Sequence, residues 1–230
     1  HLLRQPFKSD HNTLNKNFYR ELLYIMGVEE VVEDKTHLIK RLETESRQHY
    51  SLLEQAYTKL EDYPDMSQEK CFESALGLVL TWVNRILFLK LLESQLKDFN
   101  NNNDDTFLDE LHIKDYDVLH DLFLKVLAKP LAERGQVLKE QFPNVPYLNS
   151  SLFELSKLEQ EFIPVSGIRL GNMTIYEHTV LKDGKGRRIT GEMSTLQYLL
   201  RFLDAYDFGT EHNVDNGLVR KESKTLINAS

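Results

Sequence analysis

Apolar residues recur at helical spacing along most of this 230-residue chain, and the periodicity predicts a mainly α protein. The pattern predicts helices over 14–26, 47–62 and 194–206. Gly27 directly follows the first of these and is a suitable C-terminal stop, because glycine adopts positive φ without strain. The charged stretch 28–46 fits either a short strand pair or a frayed helix.

The longest predicted helix covers 66–98, with Asp65 as its cap. It is apolar nearly all round, which is typical of a central helix that packs on several sides. A membrane span here would carry Asn84, Arg85 and Lys90, and charges near a bilayer centre are costly. We therefore expect a buried core helix and no membrane partner.

Shorter elements follow an asparagine-rich break at 100–105. The apolar spacing predicts short helices over 106–113, 115–128 and 130–141, and one or two further helical turns within 152–162. Together with the earlier helices, these elements predict a multi-helix, bundle-like domain.

The apolar pattern then changes from helical spacing to alternation. β-Branched and aromatic residues alternate around Asp183-Gly184, which is a strong signal for a β-hairpin. Strands are predicted near 174–181 and 187–191, so a small antiparallel β-hairpin near 174–191 joins the helical fold. The predicted division of the chain is a helical domain over 1–163, a hairpin insert over 164–193, and a helix with a tail over 194–230.

The chain has 28 basic and 36 acidic residues, a net charge of −8, so its surface as a whole does not favour nucleic acid. The tip of the predicted hairpin is an exception, with four basic residues around Asp183. They are Lys182, Lys185, Arg187 and Arg188, which give the tip a net charge of +3 (four minus one). These side chains are candidate contacts to DNA phosphates, and the alternative is a charged edge that prevents strand-to-strand aggregation.

The sequence contains no recognisable catalytic constellation, and we predict no catalytic, cofactor-binding or metal-binding residue in it. There is no glycine-rich phosphate loop. Most of the histidines are scattered without metal-ligand spacing: His37, His49, His112, His120, His178 and His212. The single cysteine, Cys71, lies in an apolar helical pattern, which predicts a buried structural thiol in a reducing, cytoplasmic protein.

Arg85 lies among apolar residues of the central helix and needs a carboxylate or carbonyl partner if it is buried. The favoured interpretation is an internal salt bridge that fixes helix packing. The alternative is an arginine directed at an adjoining domain or ligand.

The stretch "NVPYLNSSLFE", residues 144–154, carries no charge before Glu154 and is interrupted by Pro146. It is too polar for a core strand and too broken for a helix. Its residues alone therefore predict a rigid loop that another part of the protein contacts.

Four stretches stand in a recognisable order, and a fifth supports them. They are "RILFLKLLE" (85–93), "VPYLNSSLFE" (145–154), "FLDAYDF" (202–208) and "LINAS" (226–230), with "NKNFYRELLYIMGVEE" (15–30) in support. Together they resemble the helical region that precedes the catalytic core of adenine-specific DNA methyltransferases, in particular single-chain type IIG restriction-modification enzymes. In that family the loop usually reads Tyr-Leu-Asn-Gly-Gly-Leu-Phe, whereas two serines here cannot copy a positive-φ role of glycine.

The resemblance implies a DNA-associated module whose catalytic motifs lie elsewhere. In that family a Phe-x-Gly-x-Gly loop binds S-adenosylmethionine and an Asn-Pro-Pro-Tyr/Phe loop holds the flipped adenine, and neither pattern occurs here. We therefore expect a fragment that is inactive alone and holds no cofactor, with S-adenosylmethionine, and Mg²⁺ for any nuclease module, bound elsewhere in the parent protein. The implied partners are DNA and, in cis, a methyltransferase core beyond Ser230 and, in a parent protein that carries one, a nuclease module; whether a nuclease module lies upstream is left open.

The resemblance also implies that the loop of residues 144–154 contacts the methyltransferase core. The candidate domain-contact residues are Tyr147, Asn149, Ser150 and Ser151.

The first functional hypothesis is a non-catalytic helical module of a DNA restriction-modification enzyme that bridges modules and assists DNA binding. The alternative is an acidic helical scaffold that binds proteins and has no nucleic-acid role. A free-standing enzyme with an unrecognised site is the third.

Overall fold

The computed structural model describes residues 13–99, 106–206, 208 and 227–228. The helices in these ranges are α1 (Lys16–Met26), α2 (Leu52–Leu60), α3 (Gln68–Phe99), α4 (Tyr116–Asp121), α5 (Gln136–Gln141), α6 (Lys157–Glu161) and α7 (Thr195–Asp204). The strands are β1 (Thr13–Leu14), β2 (Val28–Glu33), β3 (Thr36–Arg41), β4 (Asn172–Thr174), β5 (Glu192–Ser194) and β6 (Ile227–Asn228). They form three antiparallel pairs, β1 with β6, β2 with β3 and β4 with β5. The predicted mainly α fold with a small antiparallel hairpin is confirmed.

Helix α1 begins and ends at the signals that the sequence carries. The side chain of Asn15 accepts hydrogen bonds from the amides of Asn17 and Phe18, which satisfies two free donors of the first turn. Gly27 ends the helix with φ of 86° and donates its N–H to the carbonyls of Leu23 and Tyr24. The prediction of a helix that stops at Gly27 is therefore confirmed.

The stretch that follows is a strand pair and not a helix. Strands β2 and β3 pair from Val28 opposite Arg41 to Glu33 opposite Thr36. A tight turn joins them, and both of its central residues, Asp34 and Lys35, have positive φ.

Helix α3 starts later than predicted. The hydroxyl of Ser67 accepts a hydrogen bond from the amide of Lys70, so Ser67 caps the helix. Asp65, the predicted cap, has φ of 58° and lies before the first turn, so that prediction was wrong. The turn at Asp65 takes this residue out of the capping position, and Ser67 fills it.

Two of the predicted short helices differ from the structure. Residues 106–113 contain no helix, because the carboxylate of Asp109 accepts the amide protons of Leu111 and His112 in a turn. The predicted helix over 130–141 is broken before α5. There the buried side chain of Arg134 donates to the carbonyls of Lys129 and Val145, and its own backbone is extended. Helix α4 continues through a π-helical turn over Leu122–Leu127.

The hairpin near 174–191 is present with different strand bounds. Its regular pairing is β4 with β5, and the chain between them forms an arm of residues 175–191 that ends in a tight turn. Antiparallel contacts continue along the arm, from the amide of Ile175 to the carbonyl of Gly191 and between Lys182 and Arg188. A local turn closed by Thr179 N–H to the Tyr176 carbonyl interrupts the ladder, so the predicted strands 174–181 and 187–191 were wrong in extent.

One hydrophobic core joins the helices. Phe18 of α1 stacks on Phe202 of α7 with ring centroids 5.0 Å apart, and Tyr206 meets Phe18 edge-on at 4.9 Å. Residues from each of the three predicted segments contribute to this core, for example Leu78, Met173 and Leu199. The domain boundaries themselves stay a prediction.

Helix α3 is long and apolar enough to cross a membrane by length and composition. Half of the most apolar stretch of this helix is buried inside the fold, and the helix packs against α2 and α6 among other elements. Arg85, in the middle of this helix, is fully buried and hydrogen-bonded within the protein. These contacts are those of a central core helix, as the sequence predicts.

Candidate nucleic-acid interface

The tip of the hairpin arm is a turn built around one carboxylate. Asp183 accepts hydrogen bonds from the amides of Lys185 and Arg187, both at 2.9 Å. It also pairs with the guanidinium of Arg187, whose Nε and Nη2 lie 3.0 and 2.9 Å away. The hydrogen bond from the Arg187 amide is the main reason that the pKa of Asp183 lies below its usual value. Gly186, with φ of 79°, completes the turn without strain.

The four predicted phosphate contacts are therefore not equivalent. Arg187 is held by Asp183 and shapes the tip. Lys182, Lys185 and Arg188 are exposed, and within the described part of the chain their side chains have no hydrogen-bond or ion-pair partner. Lys182 and Arg188 lie opposite each other in the antiparallel pairing, so their side chains leave the arm on one face. The tip thus presents three free cations on a short, ordered turn.

A buried acid holds the base of the arm against the helices. Glu21 of α1 accepts the hydroxyl protons of Thr179 and Tyr198, the latter at 2.7 Å, and the amide proton of Val180 at 2.9 Å. The Tyr198 hydroxyl also accepts the amide proton of Tyr176 at 3.1 Å. Burial, and then the neighbouring Glu21 carboxylate, raise the pKa of Tyr198 above its usual value. The arm is therefore fixed to both α1 and α7.

Further contacts fix the two ends of the arm. The Tyr24 hydroxyl donates to the carbonyl of Thr174 at 2.9 Å, and Gln48 accepts the Thr174 amide proton at 3.2 Å. Directly after the returning strand β5, the hydroxyl of Thr195, the first residue of α7, donates to the carbonyl of Tyr50 at 2.7 Å. These contacts leave the tip itself as the part of the arm that projects.

The loop of residues 144–154 has a fixed backbone and exposed side chains. Its amide at Leu148 donates to the carbonyl of Leu127 at 2.8 Å, and its carbonyl at Val145 accepts from Arg134 at 2.7 Å. The predicted contact residues all lie on the exposed side: Tyr147, Asn149, Ser150 and Ser151. Their contacts are local, Tyr147 hydroxyl to Asn149 Oδ1 at 3.3 Å and the Ser150 hydroxyl to the Leu152 amide at 3.2 Å. The structure therefore brings these four together on the exposed side of the loop.

Arg85 forms the internal salt bridge that the sequence analysis favoured. Its guanidinium donates to Glu159 Oε1 at 2.6 Å and to Oε2 at 2.8 Å, and it also donates to the carbonyls of Leu152 and Glu154. Trp82 donates its indole N–H to the same Glu159 at 3.0 Å. Burial would raise the pKa of Glu159, but the hydrogen bonds from Arg85 and Ser156 lower it below its usual value. Arg85 therefore ties α3 to α6 through Glu159, and to the end of the loop through the two carbonyls.

The described residues contain no group of three or more His, Cys, Asp or Glu that could hold a metal ion. Three histidines have nearby carboxylates, namely His37 with Glu30, His112 with Asp109, and His178 with Glu177. His212 lies outside the described residues. Cys71 is buried, and burial raises the pKa of its thiol, as expected of a structural cysteine.

Comparison with protein families matches residues 11–227 to a family described as "Domain of unknown function (DUF7814)". The chain belongs to this family. No curated protein and no solved structure matches the chain. Because the DUF7814 match covers the helices, the hairpin arm and the loop alike, all of these features belong to one family unit.

The residues that position the arm were not predicted from the sequence. Glu21 carried a usable signal, since it lies three residues after Phe18 and directly before Leu22 on the buried face of α1. An acid at a core-facing position predicts a buried hydrogen-bonding partner. Its partners Thr179 and Tyr198 lie more than 150 residues away along the chain, and no local pattern connects them.

Proposed function

We propose that this protein is a non-catalytic helical module that binds DNA phosphates through its hairpin tip. The observation that carries the proposal is the set of three free cations, Lys182, Lys185 and Arg188, on a chain of net charge −8. Lysine and arginine side chains without internal partners lose little when they bind phosphate, because no ion pair has to break. The resemblance to type IIG restriction-modification enzymes supports the same proposal.

The rigidity of the arm also supports a binding role. A cationic turn on a mobile loop would lose conformational entropy on binding, and a fixed arm has lost it already. The contacts of Glu21 with Thr179 and Val180 fix the arm shortly before the tip. The charged-edge alternative requires only charge and does not require these contacts.

The test is DNA binding by the complete chain, measured by fluorescence anisotropy with a short labelled duplex across a salt series. Three phosphate contacts predict that log K falls with log salt with a slope of roughly −2.7. The variant Lys185→Glu plus Arg188→Glu should weaken binding and reduce the slope by about 2. Arg187 is unsuitable for this test because its loss would disturb the turn held by Asp183.

The matched control is Lys70→Glu plus Lys114→Glu, which makes the same change of net charge at exposed lysines outside the arm. If both double variants weaken binding equally, the effect belongs to net charge and the tip has no special role. If the wild-type chain and the tip variant bind with equal affinity and slope, the proposal is wrong.

The same proposal gives the loop of residues 144–154 the contact with a methyltransferase core in cis. S-adenosylmethionine would bind in that core. A fixed backbone with exposed Tyr147 and Asn149 suits a contact between domains, because little ordering is needed on association. In a protein that contains both parts, Tyr147→Ala plus Asn149→Ala should reduce methylation while leaving the DNA affinity of the helical module unchanged. Loss of DNA affinity in this variant would contradict the separation of the two surfaces.

A protein-binding scaffold is the second candidate, and exposed apolar side chains on α3 favour it. Phe88 and Leu91 are one helical turn apart and are 42% and 44% exposed. Phe88 also meets the buried Phe153 of the loop with ring centroids 5.9 Å apart, so this exposed apolar pair lies beside the loop. If the anisotropy experiment shows no DNA binding at any salt concentration, the protein-binding scaffold becomes the leading candidate.

A further inference from the structure

Three aromatic rings form a ladder at the base of the hairpin arm. Tyr24 of α1 and Tyr176 of the arm have ring centroids 5.0 Å apart and planes tilted by 38°, and His178 meets Tyr176 edge-on with centroids 5.6 Å apart. The two tyrosines are partly exposed, and the His178 side chain is 63% exposed. The Tyr24 hydroxyl bonds to the Thr174 carbonyl, so the first ring is fixed in place. The ladder therefore offers ordered aromatic surface at the protein exterior.

The base of the arm packs along α1, beginning at the ladder. Tyr24 contacts the arm at residues 174 and 176, and Glu21, nearer the start of α1, contacts it at 179 and 180. From its base to residue 180, the arm thus runs toward the N-terminal end of α1.

Helix α1 carries two cations on the same face as Tyr24. Lys16, Arg20 and Tyr24 are spaced four residues apart and share one helical face. Lys16 and Arg20 are exposed, and within the described residues neither side chain has a hydrogen-bond or ion-pair partner. A carboxylate also lies beside the ladder, because Glu177 contacts the His178 ring at 3.1 Å.

We propose that the ladder of Tyr24, Tyr176 and His178 stacks an unpaired base of a DNA strand whose phosphates follow Arg20 and the hairpin tip. The inference rests on the proposed function and specifies single-stranded DNA as the ligand. Proteins bind single strands through two features, cationic side chains that follow the phosphates and aromatic rings that stack on the bases. Stacking works with any sequence because every base has a face that can stack. A duplex buries those faces within its own base stack, so it leaves the ladder unused.

The test compares two labelled strands of about 16 units with the same number of phosphates, one of thymidylate and one of abasic sites. The complete wild-type chain should bind the thymidylate strand roughly ten-fold more tightly than the abasic strand. Tyr176→Leu should remove most of that difference while leaving the abasic affinity unchanged. Tyr63→Leu is the matched control, since Tyr63 is also a partly buried tyrosine in an aromatic pair, with Phe162, outside the arm.

Each outcome decides a different statement. Equal affinity of the wild-type chain for both strands overturns the stacking inference and leaves phosphate binding by the tip intact. A thymidylate preference that survives in Tyr176→Leu also overturns it. Failure to bind either strand or a duplex overturns the proposed function together with this inference. The wild-type comparison needs no variant, so a folding defect in Tyr176→Leu cannot leave the question open.

Discussion

Replacing Arg85 with methionine should be among the most destabilising single changes in this protein. The Arg85 side chain is 2% exposed and its Glu159 partner 1% exposed, so the change leaves a buried carboxylate without its cation. Breaking such a pair by removing one partner costs about 3–5 kcal/mol. The change also removes the hydrogen bonds to the carbonyls of Leu152 and Glu154, each worth about 1 kcal/mol.

These contributions overlap, and we expect Arg85→Met to lower the free energy of unfolding by about 4 kcal/mol. Because a domain of ordinary stability has only about 5–15 kcal/mol, the loss is large but measurable. Urea unfolding followed by tryptophan fluorescence is a suitable assay. The single tryptophan, Trp82, is buried and bonded to Glu159, so it reports on this part of the fold.

The matched control is Lys125→Met, which breaks an exposed pair with Asp121 at 2.7 Å. Exposed pairs contribute about 0–1 kcal/mol, so the control should unfold near the wild-type midpoint. Glu159→Gln keeps an acceptor for Trp82, and Arg85→Met plus Glu159→Gln should be less destabilised than the sum of the two single changes. If Arg85→Met costs less than about 1 kcal/mol, or the double change is simply additive, the buried pair does not hold α3 to α6.

Three further predictions concern acid stability, the first helix and the cysteine. The lowered pKa of Glu159 contributes stability that is complete above the ordinary glutamate pKa and is lost as pH falls through the lowered folded value. Unfolding measured across that acidic window should show a smaller loss in Glu159→Gln than in wild type, and an equal loss would contradict it. Gly27→Ala should cost about 1–3 kcal/mol in urea unfolding, because φ is 86° and a Cβ would lie 2.2 Å from the Ser51 hydroxyl. Gly184→Ala, where a Cβ meets nothing within 4 Å, is its control and should change little. The buried Cys71 thiol, whose pKa burial raises, should react with a thiol reagent only when the protein unfolds, and fast labelling of the native chain would refute its burial.

The sequence determined the elements whose signals are local. Apolar spacing and the Gly27 stop were enough for α1, and the long apolar run was enough for α3. The Asp183-Gly184 turn and its cations were also visible, because turn chemistry depends on neighbouring residues. Where the sequence failed, at 106–113 and 130–141, a side chain bound the backbone: Asp109 in the first segment and Arg134 in the second.

Tertiary structure decided which charged residues are free and which are internal. From the sequence, Arg187 and Arg188 were equal candidates, but only Arg187 folds back onto Asp183. Glu21 and Arg85 likewise received their roles from partners 67 to 177 residues away along the chain. The physical reason is that hydrogen bonds and ion pairs act over a few ångströms of space. Helix and turn signals act between near neighbours in the chain, so the sequence predicts the elements, and packing assigns the polar side chains their partners.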